Sequence, residues 1–289
     1  MFVGIGLQST GIAQVAPPTI KEKGQAGSDD VLELKLDSKL MERAMPYRVL
    51  LPKDYKERPA ASTRYPVIYL LHGLTGHYSN WTDKTKVAEY AFKYGVIIVT
   101  PEGGDGWYAD SVTTANDKYE SYIIKELIPE IDARYRTVAD RDHRAIAGLS
   151  MGGYGGLKFG LKHPEMFSVV GSFSGALGAA DWTEKNAGAI ARSMDSVFGA
   201  DLGNETRKAN DIFRMIREIT PENAKTLPFI YQSCGTEDFL IQNNHDFLAL
   251  LNEKKISHEY REHPGIHDWV FWDDQIREFL AVADRIIKH

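Results

Sequence analysis

Short, unbroken apolar runs recur along the chain. Val67-Ile68-Tyr69-Leu70-Leu71 and Val96-Ile97-Ile98-Val99 are the purest, followed by Ala145-Ile146-Ala147, Val169-Val170-Gly171 and Phe229-Ile230-Tyr231. Runs of this length without polar alternation suit strands that are covered on both faces of a parallel sheet. Between them the spacing turns helical. Ile124, Leu127, Ile128, Ile131 and Tyr135 fall on one stripe, with Pro129 expected to kink that helix or end it early. Trp272, Ile276, Phe279, Leu280, Ala283 and Ile287 form a second stripe near the end of the chain. Val31–Ser38 alternates apolar and polar residues, which predicts a half-exposed strand, with residues 44–51 as its partner. A last strand is expected to begin at His258. Buried strands alternating with amphipathic helices predict the α/β class: a doubly wound, mostly parallel central sheet with helices on both faces.

No internal repeat and no second domain are evident, so residues 31–289 read as a single domain. Residues 178–222 stand apart, being polar, mostly helical in pattern, and longer than a usual connection. They are expected to form a helical insertion over the top of the sheet, where a cap would sit. Residues 17–30 carry Pro17-Pro18, Gly24, Gly27 and Ser28-Asp29-Asp30, which predicts a flexible lead-in. Residues 1–16 are weakly apolar, uncharged and end in small residues, like the tail of a secretory signal peptide without its basic region. A plain flexible terminus fits them as well. Localisation therefore stays open between a secreted or periplasmic protein and a cytoplasmic one.

Composition narrows the function classes. At 289 residues, 43% apolar and 26% charged, the chain can bury a large core. A net charge of −6, with Lys and Arg interleaved among Asp and Glu, lacks the clustered basic face that nucleic acid requires. Cys234 is the only cysteine, which excludes an intramolecular disulfide and a thiolate metal cluster. No apolar run approaches the roughly 20 residues of a membrane span. Self-association is left open.

Sheets of the predicted kind place ligands at the carboxyl ends of their strands. After Ala145-Ile146-Ala147 comes Gly148-Leu149-Ser150-Met151-Gly152, then a further glycine and a helical stretch. This is a G-x-S-x-G elbow in the setting it requires, strand then sharp turn then helix. The turn would hold Ser150 in a strained conformation with its hydroxyl exposed. Side chains at Gly148 and Gly152 would collide with neighbouring backbone. Ser174 also ends a predicted strand but lacks the glycine two positions before it, so Ser150 is the better nucleophile candidate.

A serine hydroxyl is a poor nucleophile until a base takes its proton. Of the histidines beyond Ser150, His163 follows the elbow helix, His245 lies in a predicted helix and His289 is terminal. His258 starts the last predicted strand, at its wrong end, and His263 is still leaving that strand. His267 follows Pro264-Gly265, in the loop at the strand's carboxyl end, and is selected as general base. The orienting acid should follow the preceding strand, where Glu237 and Asp238 are adjacent. Only one can serve, because neighbouring residues point in different directions; Asp238 is favoured by a small margin and Glu237 is placed on the solvent side. The oxyanion donors are expected to be the backbone N–H groups of Leu74, in the loop His72-Gly73-Leu74-Thr75-Gly76, and of Met151. His72 and His77 could suggest a metal pair, but no third ligand of suitable spacing is near, so no metal is expected. Cys234 reads as a small core residue rather than a nucleophile.

With these residues in place the chain resembles the esterase D family of α/β-hydrolases. That family includes short-chain carboxylesterases of the tributyrin-esterase kind, feruloyl esterases, S-formylglutathione hydrolases and mycolyl transferases. The resemblance is carried by Tyr69-Leu70-Leu71-His72-Gly73-Leu74-Thr75-Gly76 with Trp81, by Gly106-Trp107-Tyr108-Ala109-Asp110-Ser111, and by Tyr119-Glu120 before Ile123-Ile124. Gly148-Leu149-Ser150-Met151-Gly152-Gly153, Cys234-Gly235-Thr236-Glu237-Asp238-Phe239-Leu240 and His267-Asp268-Trp269 with Trp272 complete it. It spans residues 31–288, with a texture nearest the short-chain carboxylesterases, and residues 178–222 match no motif of the family. The resemblance implies an α/β-hydrolase fold, Asp238 rather than Glu237 as the acid, and Leu74 and Met151 as oxyanion donors. It also implies that Trp107, Tyr108 and Trp269 line the substrate site, although aromatic packing alone would explain them equally well. It implies no cofactor.

The function expected is hydrolysis of short-chain or carbohydrate-linked acyl esters through an acyl-enzyme on Ser150. A feruloyl or acetyl-xylan esterase of plant polysaccharide, and then an S-formylglutathione hydrolase, are the nearest alternatives. An acyl transferase fits less well, because a large lipid chain needs an apolar trough and the insertion is polar. A non-catalytic binding module on the same scaffold would be favoured by loss of Ser150, Asp238 or His267, and all three are present.

Overall fold

A computed structural model of the protein describes residues 31–58 and 63–287. The leader-like and linker-like stretch over residues 1–30 lies outside the described residues. Eight strands form one sheet: β1 (Val31–Ser38), β2 (Arg43–Leu50), β3 (Val67–Leu71), β4 (Ile97–Pro101), β5 (Arg144–Leu149), β6 (Val169–Phe173), β7 (Phe229–Gly235) and β8 (His258–His263). Their spatial order is β1-β2-β4-β3-β5-β6-β7-β8. β1, β2 and β4 pair antiparallel, and every pairing from β4 through β3 to β8 is parallel. This is the mostly parallel sheet that the apolar runs predict, and it agrees with the fold that the resemblance implies.

The runs are apolar throughout because both faces of the sheet are covered. Alternate residues face opposite ways. Val67, Tyr69, Leu71, Val99 and Ile146 join one core, while Ile68, Leu70, Ile98, Ala145 and Ala147 join the other. Helices Met151–Lys162 and Ile241–Glu253 cover the first face; Val87–Tyr94 and Trp269–Ile286 cover the second. β8, with its charged sequence, is a half-exposed edge strand. No helix among the described residues is long and apolar enough to cross a membrane.

Two local expectations are corrected. The helix bearing Pro129 starts earlier, at Tyr119, and runs on to Arg134 through a π turn over Ile123–Leu127. In a regular helix Pro129 would clash with the carbonyl of Lys125 and leave it unbonded. The wider turn just before the proline absorbs that misfit, so the helix does not end early. The second correction concerns residues 178–222. They are helical, with Ala189–Phe198, Glu205–Asn210 and Ile212–Glu218 as the longer pieces, but they are not simply polar. Met194, Phe198, Ile212 and Ile216 are fully buried in the first core. Their helices are too short and too broken for the apolar stripe to show as a long periodic run.

The elbow glycines can be tested against a glycine elsewhere. A Cβ on Gly152 would stand 2.4 Å from Leu71 O and 2.6 Å from His72 O, both backbone atoms that cannot swing aside. Gly95 caps Val87–Tyr94 with φ +60 and open space around it, so a methyl there meets only backbone strain. Gly95→Ala should therefore cost about 1–2 kcal/mol, and Gly152→Ala should cost more, about 3 kcal/mol or above. Urea unfolding of both variants reads the difference. Equal midpoints would mean that the helix after Ser150 is not seated as tightly on β3 as described.

Candidate active site

Ser150 is the single residue between the end of β5 and the start of helix Met151–Lys162. Its φ of 52 and ψ of −115 lie in a region that side chains rarely adopt. The surrounding backbone enforces this. The Ser150 N–H donates to Phe173 O at 2.9 Å, and Ser150 O accepts from Tyr154 N–H and Ala176 N–H, each at 3.1 Å. With both backbone groups engaged inward, the half-buried side chain points out of the carboxyl end of the sheet.

His267 lies between β8 and helix Trp269–Ile286. Asp268 caps that helix by accepting from Phe271 N–H at 3.0 Å, which fixes the chain immediately after the histidine. His267 Nε2 lies 3.0 Å from Ser150 Oγ, and His267 Nδ1 lies 2.8 Å from Asp238 Oδ2. Asp238 follows β7 and is 2% exposed; its other oxygen accepts from Leu240 N–H at 2.8 Å. Burial pushes the Asp238 carboxyl up, but the bonds from His267 and Leu240 outweigh it and hold the group below its ordinary value. An ionised Asp238 accepts a hydrogen bond from Nδ1–H and so keeps the proton on that nitrogen, which leaves Nε2 as the acceptor facing the serine hydroxyl. The structure thus brings together the three residues picked from the sequence.

Glu237 is exposed, on the solvent side as expected, but it is not idle. Its Oε2 accepts from Gly265 N–H at 2.7 Å while its own N–H donates to Gly265 O at 3.0 Å. Those two bonds tie the acid loop to the histidine loop. The Gly265 N–H, together with the Thr236 hydroxyl, keeps the Glu237 carboxyl below its ordinary value.

The loop after β3 closes on the elbow. A Cβ on Gly73 would lie 2.7 Å from Leu149 Cδ1 and 3.5 Å from Ser150 Cβ, so Leu74 begins where the serine stands. Among the described residues neither the Leu74 nor the Met151 N–H donates to a protein acceptor. Two unpaired donors flanking a hydroxyl can receive a developing oxyanion. His72 is buried with both ring nitrogens engaged: Nδ1 with Gly73 O at 2.8 Å, and Nε2 with Gly103 N–H at 2.9 Å. Its Nε2 also lies 3.2 Å from Glu102 Oε1, and the other Glu102 oxygen is 3.6 Å from Nδ1 of the exposed His77. Ser174 and Cys234 are fully buried, and burial pushes the Cys234 thiol far up.

The three aromatic residues expected to line the site are placed differently. Tyr108 is fully buried, with its hydroxyl donating to His72 O at 2.9 Å, so it supports the loop after β3 from behind and offers substrate no surface. Trp269 is packed edge-on between Trp81 and Trp272, beneath the Lys84 ammonium. The rings against His267 are instead Trp272 and Phe239, with centroids at 4.9 and 4.6 Å. Trp107 is 1% exposed; its Nε1 donates to Ser193 Oγ at 2.9 Å and its ring meets Tyr154 and Trp182 edge-on. Phe239 is 67% exposed and was not singled out, although its place directly after Asp238 could have marked it.

The esterase family model matches residues 38–282. An acetyl esterase from Caldicellulosiruptor saccharolyticus is 29% identical over 255 residues, covering 85% of this chain and 95% of the relative. Among solved structures, a ferulic acid esterase superposes with a TM-score of 0.74 at 27% identity, covering 89% of this chain and 98% of its own. An S-formylglutathione hydrolase from Staphylococcus aureus gives 0.71 at 25% identity, covering 88% and 98% respectively.

Kinetics should separate the two adjacent carboxylates. Asp238→Asn keeps the side chain's shape but offers an amide to Nδ1, so kcat should fall by up to about 10⁴. Glu237→Gln retains an oxygen for Gly265 N–H and should stay within a few-fold of wild type. Both are measured on one short-chain ester after circular dichroism confirms the fold. A crippled Glu237→Gln beside a near-normal Asp238→Asn would reverse the assignment of the acid.

Proposed function

The chain belongs to the esterase family and is a carboxylic ester hydrolase, and we propose that it works through an acyl-enzyme on Ser150, on short-chain or carbohydrate-linked acyl esters. The observation that carries this reading is the unbroken line Asp238–His267–Ser150, at 2.8 and 3.0 Å, ending beside the free Leu74 and Met151 N–H groups. In the first half-reaction Ser150 Oγ attacks the carbonyl carbon while its proton passes to His267 Nε2. The carbonyl oxygen takes the negative charge and accepts from Leu74 and Met151 N–H. Collapse breaks the ester bond, the leaving alcohol takes the proton from Nε2, and the acyl group stays on Ser150. Water then attacks the acyl carbon and gives a proton to Nε2; collapse breaks the bond to Ser150 Oγ, which takes that proton back as the carboxylic acid leaves. Asp238 keeps the Nδ1 proton in place and balances the imidazolium.

Support for the substrate class comes from two directions. The relatives named acetyl esterase and ferulic acid esterase point to small acyl groups, one of two carbons and one an aromatic acid. Beyond Ser150 along its helix, Tyr154 is buried against Trp107, which in turn meets Trp182. Only Trp182 of this cluster is partly exposed, so substrate can meet it only there, and a rigid edge of that kind favours a short acyl group over a long one. The same catalytic line would cleave a thioester, and the likeness to S-formylglutathione hydrolase supports that as a second reading.

Ser150→Ala should fold as wild type yet lose on the order of 10⁶ in kcat, and a fluorophosphonate should label the wild type at Ser150. Label found on another residue would remove Ser150 as nucleophile. On p-nitrophenyl esters kcat/KM should fall from acetate to octanoate; a rise along that series would overturn the short-acyl assignment. Methyl ferulate and S-formylglutathione, run beside them, rank the aromatic and thioester readings.

A further inference from the structure

Lys158 is fully buried on the helix that begins at Met151, and the ester chemistry does not use it. Its Nζ donates to Glu120 Oε2 at 2.9 Å and to Tyr108 O at 2.7 Å. Glu120 also meets Lys162 Nζ at 2.6 Å and His163 Nε2 at 3.4 Å, so the pair sits in a small ionic cluster. The Tyr108 carbonyl belongs to an unusual piece of backbone. Trp107 and Tyr108 are consecutive left-handed residues, with φ of 49 and 52, and neither is glycine. Such residues persist only where their surroundings hold them.

What the surroundings hold is the tyrosine side chain. Its ring lies in a slot between two glycines: a Cβ on Gly103 would stand 2.4 Å from Tyr108 Cε1, and one on Gly155 2.6 Å from Tyr108 Cδ2. At the end of the slot the hydroxyl donates to His72 O at 2.9 Å. The His72 ring is locked in turn by Gly73 O and Gly103 N–H. His72 and Gly73 lead directly into Leu74. A continuous path therefore runs from the elbow helix, through Lys158 and Tyr108, to the loop on the other side of Ser150.

We propose that the buried Lys158–Glu120 pair is a positioning device for the oxyanion site, clamping Tyr108 so that the Leu74 loop keeps its distance from the elbow helix that carries Met151. Lys158 and Tyr108 are positioning residues that touch no substrate. This rests on the reading of Leu74 and Met151 as oxyanion donors. The same helix thus supplies one donor at its first turn and fixes the other through a side chain two turns further on. A neutral interior could hold the fold equally well, and ion pairs of this kind add little net stability. A fixed donor geometry is what the charge provides, because an ammonium bonds a carbonyl more strongly than a neutral donor does.

The test compares Lys158→Met and Tyr108→Phe with a control, Arg144→Met. Arg144 makes another largely buried ion pair, with Asp132 at 2.7 Å, at the amino end of β5, far along the strand from Ser150. Lys158→Met and Tyr108→Phe should each lower kcat by about 10- to 100-fold, less than the 10²–10³ for losing a donor outright. KM should stay within about three-fold, since the interaction is made only in the transition state. Both should also lose affinity for a trifluoromethyl ketone, which forms the tetrahedral oxyanion, while keeping affinity for the matching methyl ketone. Arg144→Met should lose stability with kcat and the ketone ratio unchanged. Tyr108→Phe leaves the ion pair intact, so it stays informative if Lys158→Met does not fold. If both variants keep the wild-type ketone ratio, or if Arg144→Met changes it as much, the positioning role is wrong. A wild type that does not favour the trifluoromethyl ketone would instead defeat the oxyanion reading itself, and the proposal with it.

Discussion

Everything at the carboxyl end of the sheet depends on one strained residue, Ser150, held at φ 52 between a strand and a helix. A side-chain-bearing residue in so sparsely populated a region costs about 1–3 kcal/mol, and the chain keeps it by surrounding it with backbone. Phe173 O, Tyr154 N–H and Ala176 N–H fix both its peptide groups. That arrangement requires helix Met151–Lys162 to press against the strands so closely that Gly148 and Gly152 touch the carbonyl end of β3. The helix is in consequence rich in glycine and buried along nearly its whole length, so its packing, not its helix propensity, holds it.

The close approach sets the rest of the site. β5 pairs with β3 on one side and β6 on the other, so loops from both arrive beside the serine. β7 and β8 continue in parallel register, with Gly235 opposite His263, and their following loops deliver Asp238 and His267 side by side. A loop pair could still drift, and the two bonds between Glu237 and Gly265 resist that drift. Asp238 is buried and His267 is gripped between Phe239 and Trp272, so the imidazole has little freedom to leave the serine. Order in the site therefore comes from strand register first and side-chain packing second.

The strands and the elbow were legible because each writes its constraint locally. A doubly covered strand must be apolar throughout, and a left-handed serine pressed on backbone must have glycines two residues either side. Chain order left six of the nine histidines, those beyond Ser150, and the sheet's order then picked one by asking which lies in the loop at a strand's carboxyl end. What stayed hidden was set by distant contacts. Nothing near Tyr108 announces that it fills a slot between Gly103 and Gly155, and it was expected to face substrate. Trp269 and Trp272 have the same residue type three positions apart, and only the helix phase decides which of them meets His267. Pro129 left a kink or an early helix end open, because a π turn carries no sequence mark of its own.

The insertion between β6 and β7 bears on how such a site selects its substrate. Its ties to the body of the protein are several, and the one from Tyr154 is fully buried. Trp107 donates to Ser193, Val112 N–H to Val197 O, Tyr154 to Asn210 O, and Gly178 N–H to Asn243. Arg207, 1% exposed, holds the segment to itself through Gly199 O, Ala180 O and Asp195. A hinged lid would keep its contacts few and its backbone exposed, so that opening is cheap. Here the wall formed by Trp107, Tyr154 and Trp182 is part of the core. A wall already in place loses no conformational entropy when substrate arrives, so binding energy goes to the ester rather than to ordering a loop. A segment held in this way leaves substrate selection to a preformed shape rather than to closure of a lid.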